Sequence, residues 1–181
     1  KEFENIDLED FSLFDALNNS LDKFEDIKKD TIIEVFVPNN VVLHSDYNGF
    51  IIVLDNLISN AIKYNSKENP YIKILFENSV LSIFNKGLGI DTKNIMLVFD
   101  RYFQENSQNM GYGIGLAVVK EFCDKNSIGI NIESFEDGNK IIISCPTEYD
   151  LLKKFLSKWE SIDPTIVSTW NGAFFDIPYL Y

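Results

Sequence analysis

Histidine is nearly absent from this chain: one, His44, occurs in 181 residues. Cysteine is almost as scarce, with Cys123 and Cys145 alone. That leaves no Cys/His spacing of a metal cluster and no Ser-His-Asp constellation. Two cysteines cannot form a disulfide framework, so a reducing cytoplasm is the default expectation. Basic residues are in deficit, 16 Lys and Arg against 28 Asp and Glu, for a formal net charge of −12. Sequence-independent nucleic-acid binding depends on Lys and Arg, so no nucleic-acid partner is expected. No apolar run approaches the roughly 18–20 residues of a membrane span. The opening Lys1-Glu2-Phe3-Glu4-Asn5 is polar and acidic, unlike a secretory signal. It also lacks Met, which predicts a fragment of a longer protein. What is plentiful is apolar: 45% hydrophobic and 14% aromatic residues, enough for one ordinary domain with a core.

Periodicity supplies the elements. Residues 8–29 read as a helix, with Phe11, Phe14, Leu17, Leu21 and Phe24 on one face. A β-rich run at 31–37 precedes a short strand at 41–43. Asp46 is placed to cap a helix that runs through Phe50, Val53, Leu54, Leu57, Ile58 and Ala61. Strands at 71–77 and 80–85 flank the hairpin signal Asn78-Ser79. A short helical stretch at 94–102, a polar loop at 104–110 and a helix at 115–126 follow. A last hairpin spans 128–144. The class is α/β: a two-layer sandwich with helices on one face of a mixed, mostly antiparallel sheet.

Four stretches within 56–116 carry chemistry. They are Asn56-Leu57-Ile58-Ser59-Asn60-Ala61-Ile62-Lys63-Tyr64, Asn85-Lys86-Gly87-Leu88-Gly89-Ile90, Phe99-Asp100-Arg101-Tyr102-Phe103 and Gly111-Tyr112-Gly113-Ile114-Gly115-Leu116. An Asn-bearing helix followed by two glycine loops is a way to hold a nucleotide. A lone GxGxG would be weak, but four elements in this order are specific. Asn56 and Asn60 lie one turn apart on the same helix face, so both can reach phosphates. An amide oxygen of Asn60 suits Mg²⁺, which takes hard oxygen ligands. Lys63 is a mobile point charge suited to a phosphate. Gly111, Gly113 and Gly115 free the chain to turn N–H groups towards phosphates at the positive end of the following helix.

Over 8–144 the order and spacing of these motifs resemble the catalytic ATP-binding domain of sensor histidine kinases, within the gyrase, Hsp90 and MutL type of ATPase. The resemblance implies a Bergerat-type fold, ATP and Mg²⁺ as cofactors, and catalytic roles for Asn56, Asn60 and Lys63, with Asn60 the metal ligand. Tyr64, Asn85, Gly87, Gly89, Ile90, Arg101, Gly111, Gly113, Gly115 and Leu116 are the implied nucleotide-binding residues. Tyr64 packs beside the base or ribose, Gly87 and Gly89 let the backbone approach the adenine, and Phe99 and Tyr102 anchor a lid. ATP-hydrolysing relatives usually carry a water-activating Glu where Asn56 stands. An amide cannot act as a general base, which points to phosphoryl transfer. The family's Asp before the first glycine loop, which accepts from the adenine amino group, is here Asn85. Its amide oxygen can still accept, provided its NH₂ turns elsewhere.

The resemblance also implies partners: phosphoacceptor and dimerisation helices of a parent kinase, a response regulator, and a place in the cytoplasmic part of a membrane-bound sensor. His44 has no acceptor-helix pattern and reads as a surface or partly packed residue. The alternatives are a nucleotide-binding regulatory module without turnover and a non-functional chimera. The chimera arises from 146–181, expected as an appended helix-strand segment beyond a first domain at 1–145. Its helix has Thr147 as cap and Leu151, Leu152, Phe155 and Trp159 on one face. The string Trp170-Asn171-Gly172-Ala173-Phe174-Phe175-Asp176-Ile177-Pro178-Tyr179 resembles the second exonuclease motif of phage-like family B DNA polymerases. Asn171 and Asp176 match residues of that site, but two-metal chemistry needs further carboxylates that this chain lacks. The segment's exposed aromatics predict docking on the sheet, pairing with another chain, or self-association.

Overall fold

Ser12 marks where the chain turns from strand to helix. In a computed structural model, which describes residues 7–26, 30–104, 112–126, 128–145, 156 and 159, Leu8–Ser12 forms strand β1 and Leu13–Asp22 forms helix α1. The Ser12 side chain accepts from the Asp15 N–H at 3.2 Å and caps α1. The helix expected over 8–29 is therefore shorter at both ends. The physical reason lies far along the chain: β1 pairs antiparallel with β3 (Val42–Asp46), Asp10 facing His44, in a small two-stranded sheet. Leu17 and Leu21 are buried, and Phe11, Phe14 and Phe24 pack partly buried against the core.

Asp46 ends β3 and caps α2 (Tyr47–Lys63), its carboxylate accepting from the Gly49 N–H at 3.0 Å. The cap expected from sequence is present. Strands β2 (Ile32–Phe36), β4 (Tyr71–Glu77), β5 (Val80–Lys86), β6 (Gly129–Phe135) and β7 (Gly138–Ser144) form a five-stranded sheet in the order β2-β4-β5-β7-β6. Only β2 with β4 is parallel. Asn78 and Ser79, both at positive φ, make the β4–β5 turn, the geometry that matches strand twist in a two-residue hairpin. The stretch expected to be helical over 94–102 contains a single 3₁₀ turn, Leu97–Phe99. Helix α3 covers Gly115–Lys125.

The helices pack on one face of the mixed sheet, an α/β fold. Ile72, Ile74, Leu81, Ile83 and Ile143 meet Leu54, Leu57, Ile58, Val119 and Phe122 in one core. The rings of Phe50 and Phe122 meet edge to face, with centroids 6.2 Å apart, where α2 faces α3. Along β5 and β7 the core-facing row changes from Leu81, Ile83 and Ile143 to the buried polar pair Asn85 and Asn139, which sit opposite each other.

The chain divides into two compact units, Lys1–Thr147 and Glu148–Tyr181. In the second, Leu156 and Trp159 are described, both helical. The Thr147 cap, the rest of the expected helix face, and the exonuclease-like string with Asn171 and Asp176 lie outside the described residues. Among the described residues no helix is long and apolar enough to cross a membrane.

Candidate functional site

Helix α2 holds Asn56 and Asn60 half-buried, one turn apart. The Asn56 NH₂ donates to its own helix, to the Ile52 carbonyl at 2.8 Å. Its Oδ1 thereby faces the start of α3. A Cβ on Gly115 would stand 2.7 Å from Asn56 Oδ1 and 3.7 Å from Asn60 Nδ2. Any larger residue at 115 would push α3 off the two asparagines. Ile114 occupies the N-cap position of α3 without a side-chain hydrogen bond. The first N–H groups of α3 thus gather beside two side-chain amides, behind an N-cap residue whose own side chain makes no hydrogen bond, a combination suited to an anion.

The second glycine loop is held at its base. Gly113 sits at φ +64°, and a Cβ there would stand 2.6 Å from the Phe103 carbonyl oxygen, so both conformation and space call for glycine. Its own carbonyl accepts from the Tyr102 N–H at 2.8 Å. This clasp joins the two ends of the segment between Phe103 and Tyr112. The backbone of Tyr102, itself at φ +69°, does the anchoring. Tyr102 is 72% exposed, so its side chain does not anchor the lid expected at Phe99 and Tyr102 through burial; Phe99 is half-buried. Gly111 lies outside the described residues. Leu116 packs half-buried against the core.

The first glycine loop leaves β5 at Gly87. Asn85, buried, donates its NH₂ to the Tyr64 carbonyl at 3.1 Å and to the Lys86 carbonyl at 3.4 Å. A Cβ on Gly87 would stand 2.3 Å from the Tyr64 carbonyl oxygen, and one on Gly89 would stand 2.3 Å from the Phe135 carbonyl oxygen. Protein backbone, then, requires both glycines. Beyond them the loop is gripped by two residues that the sequence reading missed. Asn139 donates to the Leu88 carbonyl at 2.8 Å and accepts from the Ile90 N–H at 3.1 Å. Ser134 accepts from the Ile90 N–H at 2.7 Å and donates to Asn139 Oδ1 at 2.9 Å. The amide of Asn139 acts on the loop as a strand residue would, with one donor and one acceptor. Local pattern carries no signal for this; it follows from the register that sets Asn85, Asn139 and Ser134 in one row.

The cations are engaged elsewhere. Lys63 Nζ lies over the Tyr64 ring, 4.9 Å from its centroid. Arg101 pairs with Glu121 of α3 at 2.9 Å. A hydrogen bond from Lys125, with help from Arg101 and against some desolvation, holds the Glu121 carboxyl below its ordinary pKa. His44 is exposed and pairs with Asp10 at 2.7 Å, away from these loops in the β1–β3 sheet.

Residues 45–149 match the family model of histidine kinase-, DNA gyrase B- and HSP90-like ATPases, more than half of the chain. The chain belongs to this ATPase family. Sensor histidine kinase YclK of Bacillus subtilis is 24% identical over 149 residues, 78% of this chain and 31% of YclK. Sensor protein kinase WalK of Staphylococcus aureus is 28% identical over 159 residues, 80% of this chain and 37% of WalK. The chain spans about a third of the length of these relatives. The mycobacterial sensor histidine kinase MprB shares the fold, with TM-score 0.66 and 23% identity over 76% of this chain and 95% of that one.

Proposed function

We propose that this chain is the ATP-binding catalytic domain of a two-component sensor histidine kinase. It binds Mg·ATP and donates the γ-phosphate to a phosphoacceptor His on dimerisation helices outside the chain, from which a response regulator takes it. The domain belongs to the cytoplasmic part of a membrane-bound sensor. The observation that carries the reading is the convergence of Asn56 and Asn60 on the uncapped start of α3 at Gly115. These residue types suit Mg·ATP: a neutral amide offers a hard oxygen, and free N–H groups at a helix start favour phosphate oxygens. In this scheme Asn60 holds the metal, and Asn56 keeps the phosphates in line without abstracting a proton from water. A bound Mg²⁺ supplies charge neutralisation and orientation of the phosphates. Asn85 and the loop from Gly87 to Ile90 receive the base, beside Tyr64. Gly111, Gly113, Gly115 and Leu116 border the phosphates. Catalysis of phosphoryl transfer then rests on positioning and electrostatics. Lys63 reaches the phosphates after leaving the Tyr64 ring.

A second reading, nucleotide binding without turnover, is favoured by the engagement of Lys63 with Tyr64 and of Arg101 with Glu121. One experiment separates the two. The chain is mixed with radiolabelled γ-phosphate ATP and a separately produced dimerisation-phosphoacceptor domain. Label on the acceptor His, lost with Asn60→Ala, supports the kinase. Saturable ATP binding without labelled acceptor supports the regulatory module.

A further inference from the structure

The backbone at Arg101 is set beside the approach to α3, yet its guanidinium is held well along that helix. Tyr102, the next residue, sits at φ +69° and donates its N–H to the Gly113 carbonyl at 2.8 Å. A tyrosine at positive φ is strained and persists only where its surroundings impose it. A Cβ on Gly113 would stand 2.9 Å from the Tyr102 carbonyl carbon, so the two segments are in close contact. The 3₁₀ turn Leu97–Phe99 also packs against α3. This geometry fixes where the Arg101 side chain starts. It ends on Glu121, with Nη2 donating to Oε2 at 2.9 Å. Glu121 lies in the second turn of α3, about 9 Å along the axis from Gly115 at ~1.5 Å per residue. The free N–H groups that suit a phosphate are at the Gly115 end. The other carboxylate oxygen, Oε1, accepts from Lys125 Nζ at 3.0 Å. One carboxylate is thus shared between a cation of its own helix and a cation from another element. When Arg101 leaves, Lys125 still neutralises Glu121. The Arg101 side chain is 58% exposed, and a surface ion pair of this kind is weak. A terminal phosphate carries more charge than a carboxylate and matches the guanidinium fork with two oxygens.

Resting on the ATP-binding reading above, we infer that Glu121 is an internal competitor for the terminal phosphate of the nucleotide. It holds Arg101 along α3 whenever no γ-phosphate claims it, and yields it to ATP but not to ADP. Breaking the Arg101–Glu121 pair therefore opposes ATP binding and leaves ADP binding unaffected. Glu121 is a positioning residue that acts through Arg101. Once the γ-phosphate has passed to an acceptor, Glu121 takes Arg101 back, so the latch resets with each turnover.

The test is paired titration of the intact chain with a non-hydrolysable ATP analogue and with ADP, both with Mg²⁺. Wild type, Glu121→Gln, Arg101→Gln and the double variant are compared. Glu121→Gln keeps the side-chain shape and removes the charge. It is expected to bind the ATP analogue about two- to fivefold more tightly than wild type, the scale of one surface ion pair. Its ADP affinity should change by less than about twofold. In the Arg101→Gln background the same substitution should leave the ATP-to-ADP ratio where it was. A general loosening of α3, or the mere loss of a negative charge near phosphates, would persist without Arg101. Unchanged or weaker binding of the ATP analogue by Glu121→Gln overturns the inference. So does an equal gain for ADP, or a gain that survives in the Arg101→Gln background. If Glu121→Gln does not fold, Glu121→Ala, expected to shift the ratio in the same direction, decides by the same criteria. Binding of neither nucleotide by the folded wild type defeats the ATP-binding reading and the latch with it; binding by wild type with no effect of Glu121→Gln defeats the latch alone.

Discussion

At the scale of single residues, the site depends on side-chain amides used for their two-ended hydrogen bonding. Asn139 is the clearest case, with its donor on Leu88 and its acceptor on Ile90. Asn139→Ala should loosen the loop while Ser134 still holds the Ile90 N–H. The expected result is a several-fold loss of nucleotide affinity, about 0.5–1.5 kcal/mol per lost hydrogen bond, with secondary structure by circular dichroism unchanged. Unaltered affinity would show that the loop needs no such grip. Asn56 and Asn60 were legible in the sequence because their spacing of one helical turn is a local property. Asn139 was not, because its part is set by the β5–β7 register, which joins it to Asn85 across 54 positions of sequence, 139 against 85. Arg101 was expected from the resemblance to bind nucleotide; its pairing with Glu121 could not be read locally, because that partner sits on another element.

At the scale of elements, caps and close approaches position the two helices that meet at the site. Asp46 is buried and caps α2 through the Gly49 N–H. Asp46→Ala should cost about 1 kcal/mol, within roughly 0.5–2, read as a lower urea midpoint with the same slope. No change in midpoint would show that the cap contributes nothing. Gly115→Ala is a sharper test of α3. Alanine in a helix is ordinarily favoured over glycine by about 1 kcal/mol, yet here its Cβ would lie 2.7 Å from Asn56 Oδ1. Nucleotide affinity should fall and stability should not rise; a stabilised variant with unchanged affinity would contradict the convergence of α2 and α3. Most elements could be read from period and punctuation, including the Asn78-Ser79 hairpin and the Asp46 cap. The helix drawn over 8–29 failed at its start because Phe11 and Phe14 satisfy a helical spacing while Leu8–Ser12 has a strand partner in Val42–Asp46. Only tertiary pairing separates those choices. Ser12 was available as a cap signal, with Asp15 three residues on.

At the scale of the whole molecule, one core between sheet and helices carries stability, and both free thiols lie in it. Burial pushes the Cys123 and Cys145 thiols up from 9.0 to about 12. A thiol whose folded pKa is raised binds its proton more tightly in the native state. Its contribution is therefore complete below the unfolded value near 9 and is lost as pH climbs towards 12. Urea midpoints should fall over that window, and native protein at neutral pH should resist iodoacetamide while the urea-unfolded chain reacts at both cysteines. Rapid alkylation of the native protein would show the core to be open. In the function proposed here, the donor of phosphate and its acceptor belong to different parts of a larger protein. The most direct test of that proposal is calorimetric titration of the chain with a non-hydrolysable ATP analogue, with and without Mg²⁺, beside Asn60→Ala. Mg²⁺-dependent binding in the micromolar range, lost in the variant, is the expected result. Absence of binding to the folded wild-type chain, or equal binding by Asn60→Ala, would contradict it.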